Sequence, residues 1–125
     1  MDNQLIPWII EIKELETRLR MEEGGWQTVR TDLAIRALTP AVPQSIDECL
    51  NYQPICRWML DEWPQRPPAP LERRLLELAH VIFRYDARVE RIEAASGKAG
   101  IVLSRHEYET AELALSGAIP YARVA

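Results

Sequence analysis

The chain has 125 residues and a mass of 14.4 kDa, one domain's worth, since domains typically hold about 100–150 residues, and roughly two-thirds of its unfolded surface can be buried without help from disulfides or metal. A composition of 47% apolar and 27% charged residues excludes disordered, collagen-like and disulfide-stapled chains. The 15 Lys+Arg against 19 Asp+Glu leave a net charge of -4 with no basic block, which argues against nucleic acid as a partner and favours small molecules or proteins.

The N-terminus carries Asp2 and lacks the basic and apolar regions of a secretory signal, and the longest apolar stretch, residues 5–10, is too short to span a bilayer. The expectation is a cytoplasmic protein without membrane contact. Cys49 and Cys56, the only cysteines, then read as small buried hydrophobes or free thiols.

Residues 1–40 pattern as strands. Trp8, Ile10 and Ile12 alternate with Ile9, Glu11 and Lys13, but Leu15 and Leu19 carry the opposite parity, so a bulge or break is predicted near Lys13 and Glu14. Glu22-Glu23-Gly24-Gly25 supplies a tight turn. Val29, Thr31, Leu33, Ile35 and Ala37 then alternate with polar residues, the second half of a β-hairpin.

Residues 39–44, with Pro40 and Pro43, form a connector, and 45–50 a separate turn. A helix is predicted from Tyr52 with Asn51 as its N-cap, because Pro54 then falls in the first turn, where its missing N–H does no harm. Ile55, Cys56, Met59, Leu60 and Trp63 cover one face, with Tyr52 in the middle of it. The cluster Pro64, Pro67, Pro68 and Pro70 must link two elements. The next helix opens at Pro70 and runs to about Arg84, with Leu71, Leu75, Leu78, Ala79 and Ile82 on its apolar face, widened by Leu76 and Phe83. Arg73, Arg74, Glu77, His80 and Arg84 fall opposite. Residues 89–95 read as a short strand and Ser96-Gly97-Lys98-Ala99-Gly100 as a turn. The tail carries two patterns: Ser104-x-x-Glu107 is a capping box before an Ala/Glu/Leu-rich run, yet Glu109, Ala111, Leu113 and Leu115 alternate as a strand does.

His80 and His106 stand far apart with no HExxH or CxxC pattern, and no phosphate loop, GxSxG elbow or dinucleotide fingerprint is present. Three residues break local rules. Glu72 is a carboxylate among apolar helix positions, otherwise read as a first-turn charge that snorkels out; Tyr52 opens a helix on its buried face, otherwise a core aromatic. Lys98 lies between glycines after a strand, otherwise a solvated turn lysine.

Ser45-Ile46-Asp47-Glu48-Cys49-Leu50-Asn51-Tyr52, then Pro70-Leu71-Glu72-Arg73, then Val89-Glu90-Arg91-Ile92 and Ser96-Gly97-Lys98-Ala99-Gly100 together resemble the dihydroneopterin aldolase family over roughly residues 26–115. The resemblance implies an α+β tunnelling fold (T-fold) filling residues 1–125 as one domain: a four-stranded antiparallel sheet in the order β-β-α-α-β-β with two helices on one face. It tips the tail to a strand over 108–115 and implies a homo-tetramer or homo-octamer with sites between subunits, Tyr52 of one facing Glu72 and Lys98 of another.

The implied reaction is retro-aldol cleavage of 7,8-dihydroneopterin, or of dihydromonapterin, to 6-hydroxymethyl-7,8-dihydropterin and glycolaldehyde. By resemblance Glu72, with Leu71 beside it, binds the pterin; Lys98 is the general acid–base, Tyr52 moves protons, and Glu22 matches the family's N-terminal catalytic glutamate. The substrate's own C=N bond takes up the electrons, so no cofactor is called for. Two departures stand out. The family's Y-G-x-H-G loop is replaced by Glu16-Thr17-Arg18-Leu19-Arg20-Met21-Glu22, and the usual proline after the lysine is Ala99. The alternatives are a non-catalytic pterin-binding or scaffold member of the same fold, and a small helical interaction module.

Overall fold

A computed structural model describes residues 4–42, 44 and 51–116. β1 (Leu5–Met21) and β2 (Gly25–Pro40) form a long antiparallel hairpin. Gly24 and Gly25 turn it with φ of 87° and 66°, values that side-chain-bearing residues avoid. The parity switch has its physical cause in a bulge: the pairing shifts between Ile12 and Leu15, Glu14 takes φ 51°, and its N–H donates to Asp32 Oδ1 at 2.8 Å. Ile10 and Ile12 therefore lean on the core before the bulge, and Leu15, Leu19 and Met21 after it.

β3 (Val89–Ser96) pairs with β2, and β4 (Ala99–Ser104) with β3, giving an antiparallel sheet in the order β1-β2-β3-β4. Between β2 and β3 come α1 (Gln53–Asp61), a 3-10 turn (Trp63–Gln65) and α2 (Leu71–Tyr85). α1 begins one residue later than predicted, with Tyr52 in the cap position; Asn51 Oδ1 accepts the Gln53 N–H at 3.1 Å, and Pro54 occupies the first turn. The turn predicted for 45–50, with Cys49, lies outside the described residues.

Ile55, Met59, Trp63, Leu75, Leu78 and Ile82 pack on Leu19, Leu33, Ile35 and Ile92 in one cluster between the helices and one face of the sheet. Each such side chain, once buried, contributes about 1.5–3 kcal/mol. The opposite face of the sheet, carrying Ile9, Arg36, Arg91, Glu93 and Val102, is uncovered among the described residues.

The strand expected over 108–115 is a helix, α3 (Arg105–Ser116), and the fourth strand is Ala99–Ser104, which starts directly after the Gly97-Lys98 turn. The capping box decides the matter locally: the Ser104 N–H donates to Glu107 Oε1 and the Glu107 N–H to Ser104 Oγ, each at 3.1 Å. Tertiary contacts secure it. The Tyr108 ring stacks on Phe83 at 5.0 Å and meets His80 edge-on at 5.2 Å. Arg105 donates to the carbonyls of Phe83, Asp86 and Val89 at 3.1, 2.9 and 2.7 Å.

A second expectation, Arg74 on the polar face of its helix, is also overturned. The side chain is fully buried, because the proline-rich segment folds over that face: its guanidinium donates to the carbonyls of Trp63 at 3.0 Å and Pro67 at 3.2 Å and to Glu77 Oε1 at 3.1 Å. The Trp63 indole N–H returns a bond to the Arg74 carbonyl at 3.2 Å. Conversely Glu72, placed among apolar positions by the helical wheel, is exposed, since the first turn of α2 stands at the lip of the core.

Candidate functional site

The start of α2 lies against the tip of the β1–β2 hairpin. Met21 bridges Ala69 in parallel, and the Glu22 N–H donates to the Ala69 carbonyl at 3.3 Å. These bonds fix a groove of about 450 Å³ lined by Met21, Glu22, Glu23, Gln27, Ala69, Pro70 and Leu71. Two residues singled out in the sequence, Glu22 and Leu71, thus share one concavity. Glu72 is the next residue and stands exposed beside it. Lys98 is exposed in the β3–β4 turn; β3 pairs with β2 only as far as Asp32, so that turn points towards the β1–β2 hairpin tip but stops roughly 15 Å short of it. It does not line the groove.

None of the Glu22, Glu72 and Lys98 side chains has a hydrogen bond or ion pair among the described residues. Chemically they are two carboxylates able to accept from ring N–H and amino groups, and an ammonium able to give and take a proton.

Tyr52 is not with them. It packs beside the C-terminal end of α2, and a helix of 15 residues separates its ends by about 20 Å. Its ring is buried and meets Tyr85 edge-on at 6.2 Å, while its hydroxyl donates to Asp86 Oδ2 at 3.4 Å. Burial first, and then the negative charge of Asp86, push the Tyr52 hydroxyl well above its ordinary range. Asp86 is gripped by Arg88: the Arg88 N–H and Nε–H donate to Oδ1 at 2.9 and 3.0 Å, and Nη2 to Oδ2 at 2.9 Å. Burial raises the Asp86 carboxyl, and the hydrogen bonds and charge of Arg88 more than reverse that, holding it below the usual carboxylate range.

Asp86 and Arg88 escaped the sequence reading. Their signal is short: an aspartate just past a helix end whose carboxylate caps the N–H two residues on. Glu23 and Gln27 were likewise not singled out as site residues; Gln27 donates to the Glu23 carbonyl at 3.0 Å across the hairpin turn. Among the described residues no group of three or more His, Cys, Asp or Glu could hold a metal ion, and no described helix is long and apolar enough to cross a membrane. Compared with protein-family models and with curated proteins, the chain matches none.

Proposed function

We propose that the chain is a T-fold subunit of a cytoplasmic, dihydroneopterin aldolase-like carbon–carbon lyase of pterin biosynthesis. The observation that carries this reading is the shared groove of Glu22 and Leu71 at the start of α2, with Glu72 beside it. Glu72 accepts hydrogen bonds from the amino group and ring nitrogen of the pterin, with Leu71 against the ring. A base, with Lys98 and Glu22 as candidates, takes the proton of the side-chain hydroxyl on the carbon that leaves as aldehyde. The carbon–carbon bond breaks, glycolaldehyde departs, and the electron pair enters the substrate's C=N bond. Reprotonation of the remaining carbon, for which Lys98 and Tyr52 are the candidate donors, yields 6-hydroxymethyl-7,8-dihydropterin.

Tyr52 and Glu72 sit at opposite ends of α2, so one chain cannot bring both to one substrate. A neighbour whose Tyr52 end meets this chain's Glu72 end supplies what is missing, in a homo-tetramer or homo-octamer. The edges of β1 and β4, unpaired among the described residues, are suited to such assembly, and Leu5, Ile9 and Val102 leave apolar surface near them. A second reading, a non-catalytic pterin-binding or scaffold member of the same fold, is favoured by one observation: the Tyr52 hydroxyl is already engaged by Asp86 inside the subunit.

Incubation of the protein with 7,8-dihydroneopterin and detection of glycolaldehyde, with Lys98→Ala as control, tests the enzyme reading. Absence of product alongside pterin binding that is lost in Glu72→Ala rejects catalysis and keeps the binding reading. A monomer in sedimentation equilibrium rejects the shared site.

A further inference from the structure

A second groove of about 450 Å³ runs along the outer side of α2 and is unrelated to the candidate site. Its middle is apolar, formed by Trp58 of α1 and by Leu76 and Val81 of α2; Arg66, Arg73 and Arg84 stand around it. The Trp58 indole is held in place by stacking on Trp63, 6.1 Å away at 27°. The α2 members recur three to four residues apart, so they form one stripe along the helix.

The groove is positive in a chain of net charge -4. Of the carboxylates at it, Glu77 is already engaged by the buried Arg74 at 3.1 Å and by Arg66 at 3.9 Å, and Glu112 of α3 meets the lining His80 at 3.5 Å. Arg73 and Arg84 have no hydrogen bond or ion pair among the described residues. They are also far apart: eleven residues of helix place them about 16 Å from each other. A single phosphate or carboxylate cannot reach both, whereas a helix three turns long can present apolar side chains in the middle and carboxylates at each end.

We infer that this groove docks an acidic amphipathic helix of a partner protein, its apolar side chains on Trp58, Leu76 and Val81 and its carboxylates on Arg66, Arg73 and Arg84. Opposite charges at the rim set orientation and hasten encounter, and the apolar centre holds the complex.

The test uses a fluorescein-labelled helical peptide of about 18 residues with leucines on one face and glutamates flanking them, and the same peptide with lysine for glutamate. Fluorescence anisotropy is followed at low and at roughly physiological salt, about 0.15 M. The expected result is saturable binding of the glutamate peptide, weakened by salt, absent for the lysine peptide, and reduced at least about tenfold by the double substitution Arg73→Glu and Arg84→Glu. The milder pair Arg73→Gln and Arg84→Gln, which keeps helix propensity, must weaken binding in the same direction. No saturable binding, equal binding of the lysine peptide, or unchanged affinity in both double variants overturns the inference. So does displacement of the peptide by adenosine monophosphate, which would assign the groove to a small anion. The readout does not involve aldol cleavage, so its outcome is independent of the proposed activity.

Discussion

The two ends of α2 are built on different principles. At the C-terminal end, the outward-facing Arg84 apart, the polar groups are engaged: Tyr52 with Asp86, Asp86 with Arg88, the Tyr85 hydroxyl with the Asn51 carbonyl at 3.1 Å, and Arg105 with three carbonyls. At the N-terminal end the exposed Glu22 and Glu72 side chains are unengaged among the described residues, near a rigid base of Arg74, Trp63 and Glu77, and Lys98 in the β3–β4 turn is unengaged as well. A fold gains stability by pairing polar groups internally, so charged groups held unpaired on a rigid base are where binding is to be sought. One end of the helix holds the subunit together and the other presents chemistry.

The base of the N-terminal end gives the largest expected effect. Replacing Arg74 by alanine leaves the carbonyls of Trp63 and Pro67 and the Glu77 carboxylate without their donor and opens a cavity, so Arg74→Ala is expected to cost about 3–5 kcal/mol in urea unfolding. A loss below about 1 kcal/mol would show that the proline-rich segment does not depend on this side chain. The C-terminal end is next. Arg105→Ala removes donors from the last carbonyls of α2 and from the β3 entry and is expected to cost about 2 kcal/mol, read as earlier hydrogen exchange in α3 than in the sheet.

The same end sets the pH dependence. Asp86, depressed in the folded state, contributes stability that is present above its ordinary value of 3.8 and is lost as pH falls through the folded value. Tyr52, raised in the folded state, contributes stability that is full below its ordinary value of 10.0 and declines as pH rises above it. Asp86→Asn should therefore flatten the acid limb of a stability–pH curve and Tyr52→Phe the alkaline limb, each at a cost of about 1 kcal/mol near neutrality. Unchanged limbs would mean that the titration of neither group is linked to folding.

Sequence patterns revealed what short-range rules determine. The odd–even switch located the bulge, the paired glycines the hairpin, and Pro54 the first turn of α1, while Pro70 stands as the extended residue just before α2 rather than inside its first turn. The tail went wrong for an instructive reason: Ser104 and Glu107 announced a helix correctly, and the strand was imposed by family architecture, whereas the fourth strand was six residues that the turn reading had partly absorbed. Arg74 was illegible because its burial depends on a segment that arrives from outside the helix, and a helical wheel sees only its own residues. The groove was half legible. Glu22 and Leu71 were both named, but the hydrogen bond from Glu22 to Ala69 that brings them together spans β2, α1 and the proline-rich segment.

The smallest expected stability effects belong to the N-terminal rim, and they decide between the two ends most sharply. Glu22→Gln, Glu72→Gln and Lys98→Ala remove charges that make no bond among the described residues, so each should shift unfolding by no more than about 0.5 kcal/mol. In the proposed aldolase these same substitutions act on groups that touch substrate, and loss of one charged hydrogen-bond partner there costs about 1.5–3 kcal/mol, a tenfold to hundredfold loss in pterin binding or turnover. Stability unchanged with function lost is the signature of groups held for a ligand. Were Glu72→Gln instead to destabilise the subunit by as much as Arg105→Ala while pterin binding stayed the same, the rim would be structural and the division of labour along α2 would fail.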